Sequence, residues 1–416
     1  MEATGIAAPT DESVSAKLEE VLALHPWYRE LTTSGADWSQ LPLLTHDKLM
    51  PYYERSATMA GGGLYVYRTS GTSGGMRKAI VYDDADEAAY LAAKTELFTR
   101  LLQPYPARRA LSDMGTGHAA ATAIAVFEQL GLLTASIPFH EPVERHLAAI
   151  ADFRPDVLYT MPSLLDSMLA AAGDSFDWGV MCVMLVGEAA PPAWRKQAAA
   201  RLGIGADAVI DTYGSIEIGT IAYRDAATDR YVLLDGLFAE GATPAEAGLP
   251  GMELPEGESV LVLTSFVRRQ FPALRFVTYD VVRDLRAMTI DGRERMTFAA
   301  LVKRIGPELK HGEKISVYDI EHVVHTFAPP GTEVRVAVEH NRMRVYLLSE
   351  TTIDEETIVR IQDGACDAIP AIGDMIRAGL LASIDVRQVD ADNEAHYRGL
   401  AGTAAVKRKK LYVTGQ

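Results

Sequence analysis

A segment rich in hydroxyl groups and glycine, YRTSGTSGGMRKAIVY at residues 67–82, lies between two β-like runs. Its glycines let backbone N–H groups approach an anion closely, and its serine and threonine hydroxyls add further donors. Arg77 and Lys78 then supply full positive charge. The helical GxxxxGK[ST] pattern is absent, since the segment continues into the β-rich AIVY. It therefore predicts a mobile polyphosphate-binding loop between two strands, with a plain flexible surface loop as the alternative.

A second candidate, DTYGSIE at residues 211–217, follows the apolar run ADAVI. Open α/β sheets bind ligands beyond the carboxyl ends of their strands, where this segment is expected to lie. Tyr213 is suited to stacking on a purine. Glu217 is suited to holding Mg²⁺ against phosphate oxygens, because magnesium prefers one or two carboxylates together with phosphate. The alternative is a capped turn that carries a surface glutamate.

A third candidate, RFVTYD at residues 275–280, is a β-rich run that ends in Asp280. A carboxylate at a strand end can accept hydrogen bonds from ribose hydroxyls, as acidic residues do in other nucleotide sites. Asp284 is an alternative for this role. An ordinary turn aspartate is the alternative to any ligand contact.

The elements that must position these segments follow from hydrophobic patterning. Short β-rich runs recur between helical patterns as far as Tyr223, which is typical of a parallel sheet covered by helices on both faces. The runs lie at residues 157–160, 180–186 and 208–211. Beyond Tyr223, strand-like runs joined by glycine, proline and glutamate turns predict a β-barrel-like subdomain. The charged, glycine-bearing stretch at 303–314 predicts a domain boundary.

The predicted fold class is therefore α/β, in two domains. A large N-terminal domain at residues 1–303 contains parallel and mixed sheets with helices on both faces, together with the β-barrel-like subdomain. A small α+β domain follows at residues 304–416.

Composition excludes several classes of protein. The 416 residues are 48% hydrophobic and 23% charged, which is enough to form a large core. The formal net charge of -16 argues against a general nucleic-acid binder. No apolar run approaches the roughly 20 residues that span a bilayer, and the N-terminal sequence lacks a signal region. We expect a cytoplasmic protein without a membrane partner. Cys182 and Cys366 predict no disulfide framework or zinc cluster.

The order of TSGTSG, TYGSIE and FVTYD resembles the nucleotide-binding motifs of the adenylate-forming superfamily, which includes the acyl-CoA synthetases. Within it, the chain is most similar to the phenylacetate-CoA ligase-like branch, and the resemblance extends over almost the whole sequence. It includes GTGHAAATAIAVFEQLG, RPDVLYTMPSLL, LVGEAAPPAWRKQAAARLGI and QFPALRFVTYD. GEKISVYDIEHVV resembles the start of that branch's mobile C-terminal domain.

The resemblance implies roles for the nucleotide-binding residues. The implied phosphate loop, in which Thr72 is also catalytic, comprises Ser70, Gly71, Thr72, Ser73 and Gly74, with positive charge from Arg77 or Lys78. The strip along the adenine and acyl pocket comprises Gly187, Glu188 and Ala189. The adenine-side residues are Asp211, Thr212 and Tyr213. Glu217 is implied to be a catalytic Mg²⁺ ligand, and Asp280 the ribose ligand.

The resemblance also implies a substrate pocket and a catalytic lysine. The pocket residues are His118, Gly187 and Gly214. His118, together with Phe139, Tyr159 and Met161, is consistent with an aromatic or medium-sized apolar acid, and ordinary core packing is the alternative for each of these four side chains. In GTAAVKRKKLYV, Lys407 aligns best with the lysine that bridges the carboxylate and the α-phosphate. Lys409 and Lys410 are alternatives, as is a solvated basic tail.

The activity implied by the resemblance is ATP-dependent, AMP-forming ligation of a carboxylic acid with ATP, Mg²⁺ and an acceptor. Coenzyme A is the leading acceptor, and a homodimer is plausible. The alternative transfers the acyl group to an amine, a hydroxyl or a carrier protein. It is motivated by the hinge, where Pro307 follows Gly306, whereas the family usually has a glycine–arginine pair followed by acidic residues. A non-catalytic nucleotide-binding relative is the remaining alternative.

Overall fold

The computed structural model describes residues 9–59, 61–68, 78–114, 118–173, 175–306, 316–339, 342–349, 351–368, 383–389 and 411–414. Its helices are α1 (Asp11–Leu24), α2 (Met50–Thr58), α3 (Asp84–Leu102), α4 (His118–Gln129), α5 (Val143–Phe153), α6 (Pro162–Ala172), α7 (Pro192–Leu202), α8 (Val317–Phe327) and α9 (Glu355–Ala368).

The strands of the first half are β1 (Leu64–Arg68), β2 (Ala79–Asp83), β3 (Arg109–Ser112), β4 (Leu133–Ser136), β5 (Val157–Thr160), β6 (Cys182–Leu185), β7 (Val209–Ser215), β8 (Gly219–Asp225) and β9 (Arg230–Leu233). Those that follow are β10 (Leu237–Ala242), β11 (Glu258–Ser265), β12 (Phe276–Arg283), β13 (Arg286–Ile290), β14 (Arg293–Phe298), β15 (Ala300–Arg304), β16 (Glu333–Glu339), β17 (Arg342–Leu348), β18 (Ser383–Val389) and β19 (Leu411–Thr414).

The chain divides into two compact units, which differ from the two predicted sequence domains. The first unit comprises Met1–Leu101 and Thr212–Lys310, and the second comprises Leu102–Asp211 and His311–Gln416. The domain boundary between residues 303 and 304 stays a prediction.

The first unit is built from antiparallel strands. Strands β1 and β2 pair with each other, β10, β11, β12 and β15 form one sheet, and β8 joins β9, β14 and β13 in another. Helix α1 begins at the N-cap Thr10, whose side chain accepts a hydrogen bond from the backbone N–H of Ser13. Its apolar face buries Leu18 in a core that also contains Tyr52 and Phe271. This core supports the strands that carry Tyr213 and Asp280.

The second unit contains the parallel sheet that the alternating pattern predicts. Strands β4, β3, β5 and β6 pair in parallel, and the first residues of β7 continue the order beside β6. Strand β5 has the predicted bounds, and Cys182 is a buried thiol. The predicted α/β class is confirmed. A second sheet, ordered β18-β17-β16-β19, carries α8 and α9 on a shared apolar core.

Helices α7 and α8 of the second unit are joined by polar contacts. Gln197 Nε2 donates to the Ala328 carbonyl oxygen at 3.1 Å, and Gln197 Oε1 lies 3.0 Å from His325 Nδ1. His325 is buried. No helix in the described ranges has the length and apolar character needed to cross a membrane.

The histidine at the end of α1 predicts acid sensitivity. His25 is buried against the rings of Trp27 and Tyr52, and burial lowers its pKa to about 4. Above pH 6.5 the imidazole is neutral in both states. As the pH falls through 6.5 toward 4, the unfolded chain gains the proton first, so stability is lost. We expect His25 to account for about 3 kcal/mol of this loss.

Comparison of the wild type with His25→Leu tests this expectation. Urea unfolding at pH 7 and pH 4.5 should show a smaller loss of the free energy of unfolding in the variant than in the wild type. Equal losses in the two proteins would contradict the assignment.

Candidate active site

A bulge in strand β12 places Asp280. Val277 pairs with Val262 of β11 and Val281 pairs with Val260, so residues 278–280 lie opposite Leu261 alone. Tyr279, at the centre of the bulge, has a φ of 63°, in the left-handed region that tyrosine rarely adopts. Bulges of this kind change the direction of a side chain and occur often beside active sites. The backbone of FVTYD is therefore shaped to present its aspartate.

Asp280 is held in a buried polar cluster of the first unit. The Tyr213 hydroxyl donates a hydrogen bond of 2.6 Å to Asp280 Oδ2. On the neighbouring strand β15, Arg304 pairs with Asp280 in register, and its Nε lies 3.9 Å from Asp280 Oδ1. The Arg304 side chain is 58% exposed, so its ion pair with Asp280 is weak. One carboxylate oxygen thus has a fixed donor, and the other lies beside a movable cation.

The electrostatics of this cluster link Tyr213, Asp280 and Glu217. Burial, reinforced by the Asp280 carboxylate, raises the pKa of Tyr213 well above its usual range, so its hydroxyl remains a donor. The Asp280 carboxylate has the largest effect on the Arg304 guanidinium and raises its pKa, and the Glu217 carboxylate adds to the increase. Glu217 therefore lies within electrostatic reach of the Asp280–Arg304 pair.

Glu217 lies in the three-residue turn between β7 and β8, where Ser215 pairs with Gly219. Gly214 permits this turn, because a Cβ at that position would lie 2.6 Å from the Gly219 carbonyl oxygen. Glu217 is 7% exposed, and the described residues provide no hydrogen-bond donor to its carboxylate. The predicted alternative of a surface glutamate is therefore wrong.

The environment of Glu217 fits a magnesium ion that is also bound by phosphate. A carboxylate without a donor is suited to a cation, and Mg²⁺ usually takes only one or two protein carboxylates beside phosphate oxygens and water. In the described ranges, no group of three or more histidine, cysteine, aspartate or glutamate side chains is arranged to hold a metal ion. The buried carboxylate of Glu217 thus suits a cation that phosphate oxygens also bind.

The predicted residues of the second unit lie just after β6 and within the first half of β7. Gly187 has a φ of 85°, and Glu188 accepts hydrogen bonds from the backbone N–H of Ser163 at 2.9 Å and from its hydroxyl at 3.0 Å. Glu188 thereby caps the N-terminus of α6. Asp211, which is 1% exposed, accepts from the backbone N–H of Ala190 at 3.3 Å. These carboxylates fix the strand ends of this unit.

The other predicted site residues have varied positions. Thr212 is buried on β7, Ala189 lies after β6, and His118 begins α4. Lys78 places its ammonium group 5.1 Å from the centre of the Tyr53 ring. The predicted residues that lie outside the described ranges are Ser70, Gly71, Thr72, Ser73, Gly74, Arg77, Lys407, Lys409 and Lys410. Their roles stay predictions.

The sequence alone does not identify Arg304 as the partner of Asp280. The two residues are 24 positions apart and meet only because β12 and β15 pair in one register. A basic residue near the predicted hinge was the available signal. It gave no indication of the strand pairing.

The hydrogen bond between Tyr213 and Asp280 leads to a prediction about stability. Tyr213→Phe removes the buried donor, and we expect a loss of about 1–3 kcal/mol in the free energy of unfolding. The matched control is Tyr28→Phe, because the buried Tyr28 hydroxyl has no hydrogen-bond partner among the described residues. Urea unfolding should show little change in the control. A loss in Tyr28→Phe as large as in Tyr213→Phe would contradict the prediction.

The chain is similar to known ligases. Residues 310–392 match the family model of the fumarate–diaminopropanoate ligase C-terminal domain. Over 378 residues, which cover 90% of this chain and 94% of the relative, the sequence is 34% identical to a fumarate–(S)-2,3-diaminopropanoate ligase of Enterobacter agglomerans.

Solved structures show the same fold at lower identity. A 2-hydroxyisobutyryl-CoA ligase in the postadenylation state matches with a TM-score of 0.71 and 15% identity, covering 99% of this chain and 91% of that chain. ATP-bound MatB from Rhodopseudomonas palustris matches with a TM-score of 0.50 and 17% identity, covering 80% of this chain and 68% of that chain.

The fold is that of the adenylate-forming ligases, as the three motifs predict. The protein is therefore a ligase of this class, and the non-catalytic alternative is not supported. Within that superfamily, the chain belongs to the family that includes the fumarate–(S)-2,3-diaminopropanoate ligase of Enterobacter agglomerans.

Proposed function

We propose that the protein activates a short dicarboxylic acid of the fumarate class as its acyl-adenylate and joins it to an amino group of a small diamino acid. The observation that supports this proposal is the 34% identity to a fumarate–(S)-2,3-diaminopropanoate ligase over 90% of the chain. The product is an amide. The acceptor is thus the amine of the predicted alternative rather than coenzyme A, and the acid is a small polar one rather than an aromatic one.

The first step forms the acyl-adenylate. A carboxylate oxygen of the acid attacks the α-phosphorus of ATP, and the bond from that phosphorus to the bridging oxygen breaks. Pyrophosphate leaves with the electron pair. The protein contributes position and charge to this step rather than a covalent bond.

The second step forms the amide. The neutral amino nitrogen attacks the carbonyl carbon of the acyl-adenylate, and AMP leaves with the electrons of the carbon–oxygen bond. The nitrogen then loses one proton to solvent or to a nearby base. Because the amine must be neutral to attack, a rate increase with rising pH is expected for this step.

The site residues have distinct tasks in this scheme. Asp280 accepts hydrogen bonds from the ribose hydroxyls, with Tyr213 holding one carboxylate oxygen in place at 2.6 Å. Glu217 is the protein ligand of Mg²⁺, which neutralises the charge of the phosphates when bound. Lys407 places a positive charge on the transferring group, and residues 70–74 donate hydrogen bonds to the phosphates.

The proposal is tested first by acid-dependent exchange of labelled pyrophosphate into ATP. Fumarate should support exchange better than succinate, maleate or phenylacetate, because the site must distinguish the shape and second charge of the acid. Exchange with phenylacetate alone would overturn the proposed acid class.

Mass spectrometry of the products then tests the acceptor. With fumarate and ATP, we expect an amide of 2,3-diaminopropanoate and stoichiometric AMP, with little fumaroyl thioester when coenzyme A replaces the amine. Rapid thioester formation with no amide would overturn the proposed acceptor.

A further inference from the structure

The turn that carries Glu217 is anchored through its main chain. The Tyr82 hydroxyl donates a hydrogen bond of 2.7 Å to the Ile216 carbonyl oxygen, and Arg268 Nε donates one of 3.0 Å to the Glu217 carbonyl oxygen. Both donor side chains are buried in the first unit. Two successive carbonyl groups are therefore fixed, which restricts the rotation of the peptide that carries the Glu217 side chain.

Arg268 connects this turn to strand β2. Its Nη2 donates a hydrogen bond of 2.6 Å to the Val81 carbonyl oxygen, and its guanidinium carbon lies 3.5 Å from the centre of the Tyr82 ring. Val81 and Tyr82 belong to the strand that follows the predicted phosphate loop. One guanidinium thus links the Glu217 turn to the strand that follows the predicted phosphate loop. Its planar, multidentate geometry is one that lysine does not reproduce.

Asp86 neutralises and orients Arg268. The Asp86 carboxylate, 0% exposed, accepts a hydrogen bond from Arg268 Nη1 and further bonds from the backbone N–H groups of Arg269 at 2.7 Å and Gln270 at 3.0 Å. It also lies in the first turn of α3, where a negative charge is favourable. A buried ion pair is tolerated when the remaining hydrogen-bonding groups of both partners are satisfied, and the contacts of Arg268 and Asp86 meet this condition.

This arrangement leaves the Glu217 carboxylate available to a cation. Arg268 donates to the main-chain oxygen of Glu217, and its charge is balanced by Asp86 rather than by the Glu217 side chain. A direct Arg268–Glu217 ion pair would compete with a metal for the carboxylate oxygens. The observed contacts instead position Glu217 without neutralising it.

We propose that Arg268, oriented by Asp86, is a positioning residue that holds Glu217 for Mg²⁺ and couples its turn to the strand after the phosphate loop. The inference rests on the proposed role of Glu217 as metal ligand. It assigns to Arg268, Asp86 and Tyr82 an effect on magnesium affinity that is separate from recognition of the acid or the amine.

The test compares Arg268→Lys with the matched control Arg230→Lys. Arg230 is also buried in the first unit and binds Asp284 at 2.7 Å and Thr297 at 3.0 Å. Among the described residues, its hydrogen bonds do not involve the Glu217 turn. Each variant is measured for the Mg²⁺ concentration that gives half-maximal pyrophosphate exchange. Calorimetry also measures binding of α,β-methylene ATP with and without Mg²⁺, which requires no turnover and no acid.

For Arg268→Lys we expect the half-maximal Mg²⁺ concentration to rise by about fivefold to tenfold, equivalent to about one hydrogen bond. Binding of the nucleotide analogue should weaken by a similar factor with Mg²⁺ and change little with EDTA. Arg230→Lys should lower the midpoint of thermal unfolding without moving the Mg²⁺ dependence. An unchanged Mg²⁺ dependence in Arg268→Lys, or an equal change in Arg230→Lys, would overturn the inference.

Tyr82→Phe provides a milder variant if Arg268→Lys does not fold. It removes the donor to Ile216 and keeps the ring and the Arg268 side chain, and a rise of about twofold to threefold in the half-maximal Mg²⁺ concentration is expected. No rise would count against the anchoring of the turn. Failure of the proposed function is distinguishable from failure of this inference. If the wild type shows no fumarate-dependent exchange, binding of the analogue with and without Mg²⁺ can still be compared between the wild type and Arg268→Lys.

Discussion

Glu217→Gln should lower the rate of fumarate-dependent pyrophosphate exchange by about a hundredfold to a thousandfold, the range found when a single stabilising group is removed from a transition state. Glutamine has nearly the same shape but lacks the negative charge that the cation requires. The variant should fold normally, since the described residues give the Glu217 carboxylate no hydrogen bond to lose. Exchange is measured over a range of Mg²⁺ concentrations.

Glu258→Gln is the matched control for Glu217→Gln. The Glu258 side chain is also buried in the first unit, and its carboxylate pairs with Arg283 at 2.7 Å on the neighbouring strand. This variant should lose stability while its exchange rate stays near that of the wild type. If Glu217→Gln keeps wild-type exchange at low Mg²⁺, its assignment as the metal ligand is wrong.

Lys407→Ala has the second large expected effect. A lysine on the transferring group acts as a point charge in the transition state, so its loss should reduce the adenylation rate by about a hundredfold to a thousandfold. Binding of Mg–ATP should change much less, because the phosphates retain the loop and the cation. Single-turnover formation of acyl-adenylate measures the rate, and calorimetry measures the binding.

Lys409→Ala and Lys410→Ala are the controls for Lys407→Ala. They remove the same charge from the same short basic run, so a general electrostatic effect would appear in all three variants. A large loss confined to Lys409 or Lys410 would move the catalytic assignment to that residue. Three active variants would favour the solvated basic tail.

The carboxylates of the site illustrate how far the sequence predicts it. Glu217 and Asp280 were predicted from a turn after an apolar strand and from the end of a β-rich run, and the structure places them in one unit within electrostatic reach of Arg304. Local sequence predicts such residues because strand ends and turns have recognisable patterns. The burial of Glu217 was not predicted, since burial depends on which distant segments cover the turn.

The parallel sheet could also be predicted from the sequence. The run at residues 157–160 is rich in β-formers and forms β5 with the predicted bounds, and all four of its residues are buried, as in a strand covered on both faces. The two units were not predicted, because each combines segments from separate parts of the chain. Contacts between distant segments have no signature in the local pattern of either one.

The sequence by itself determined the class of ligase, because glycine, hydroxyl and carboxylate groups in the order TSGTSG, TYGSIE and FVTYD meet the chemical needs of a nucleotide at short range. Tertiary structure alone decided the partners: Tyr213 beside Asp280, and Arg268 between Asp86 and the Glu217 turn. These pairs are separated by 67, 182 and 51 residues. Hydrogen bonds act over about 3 Å, so only the folded chain selects which donors meet which acceptors.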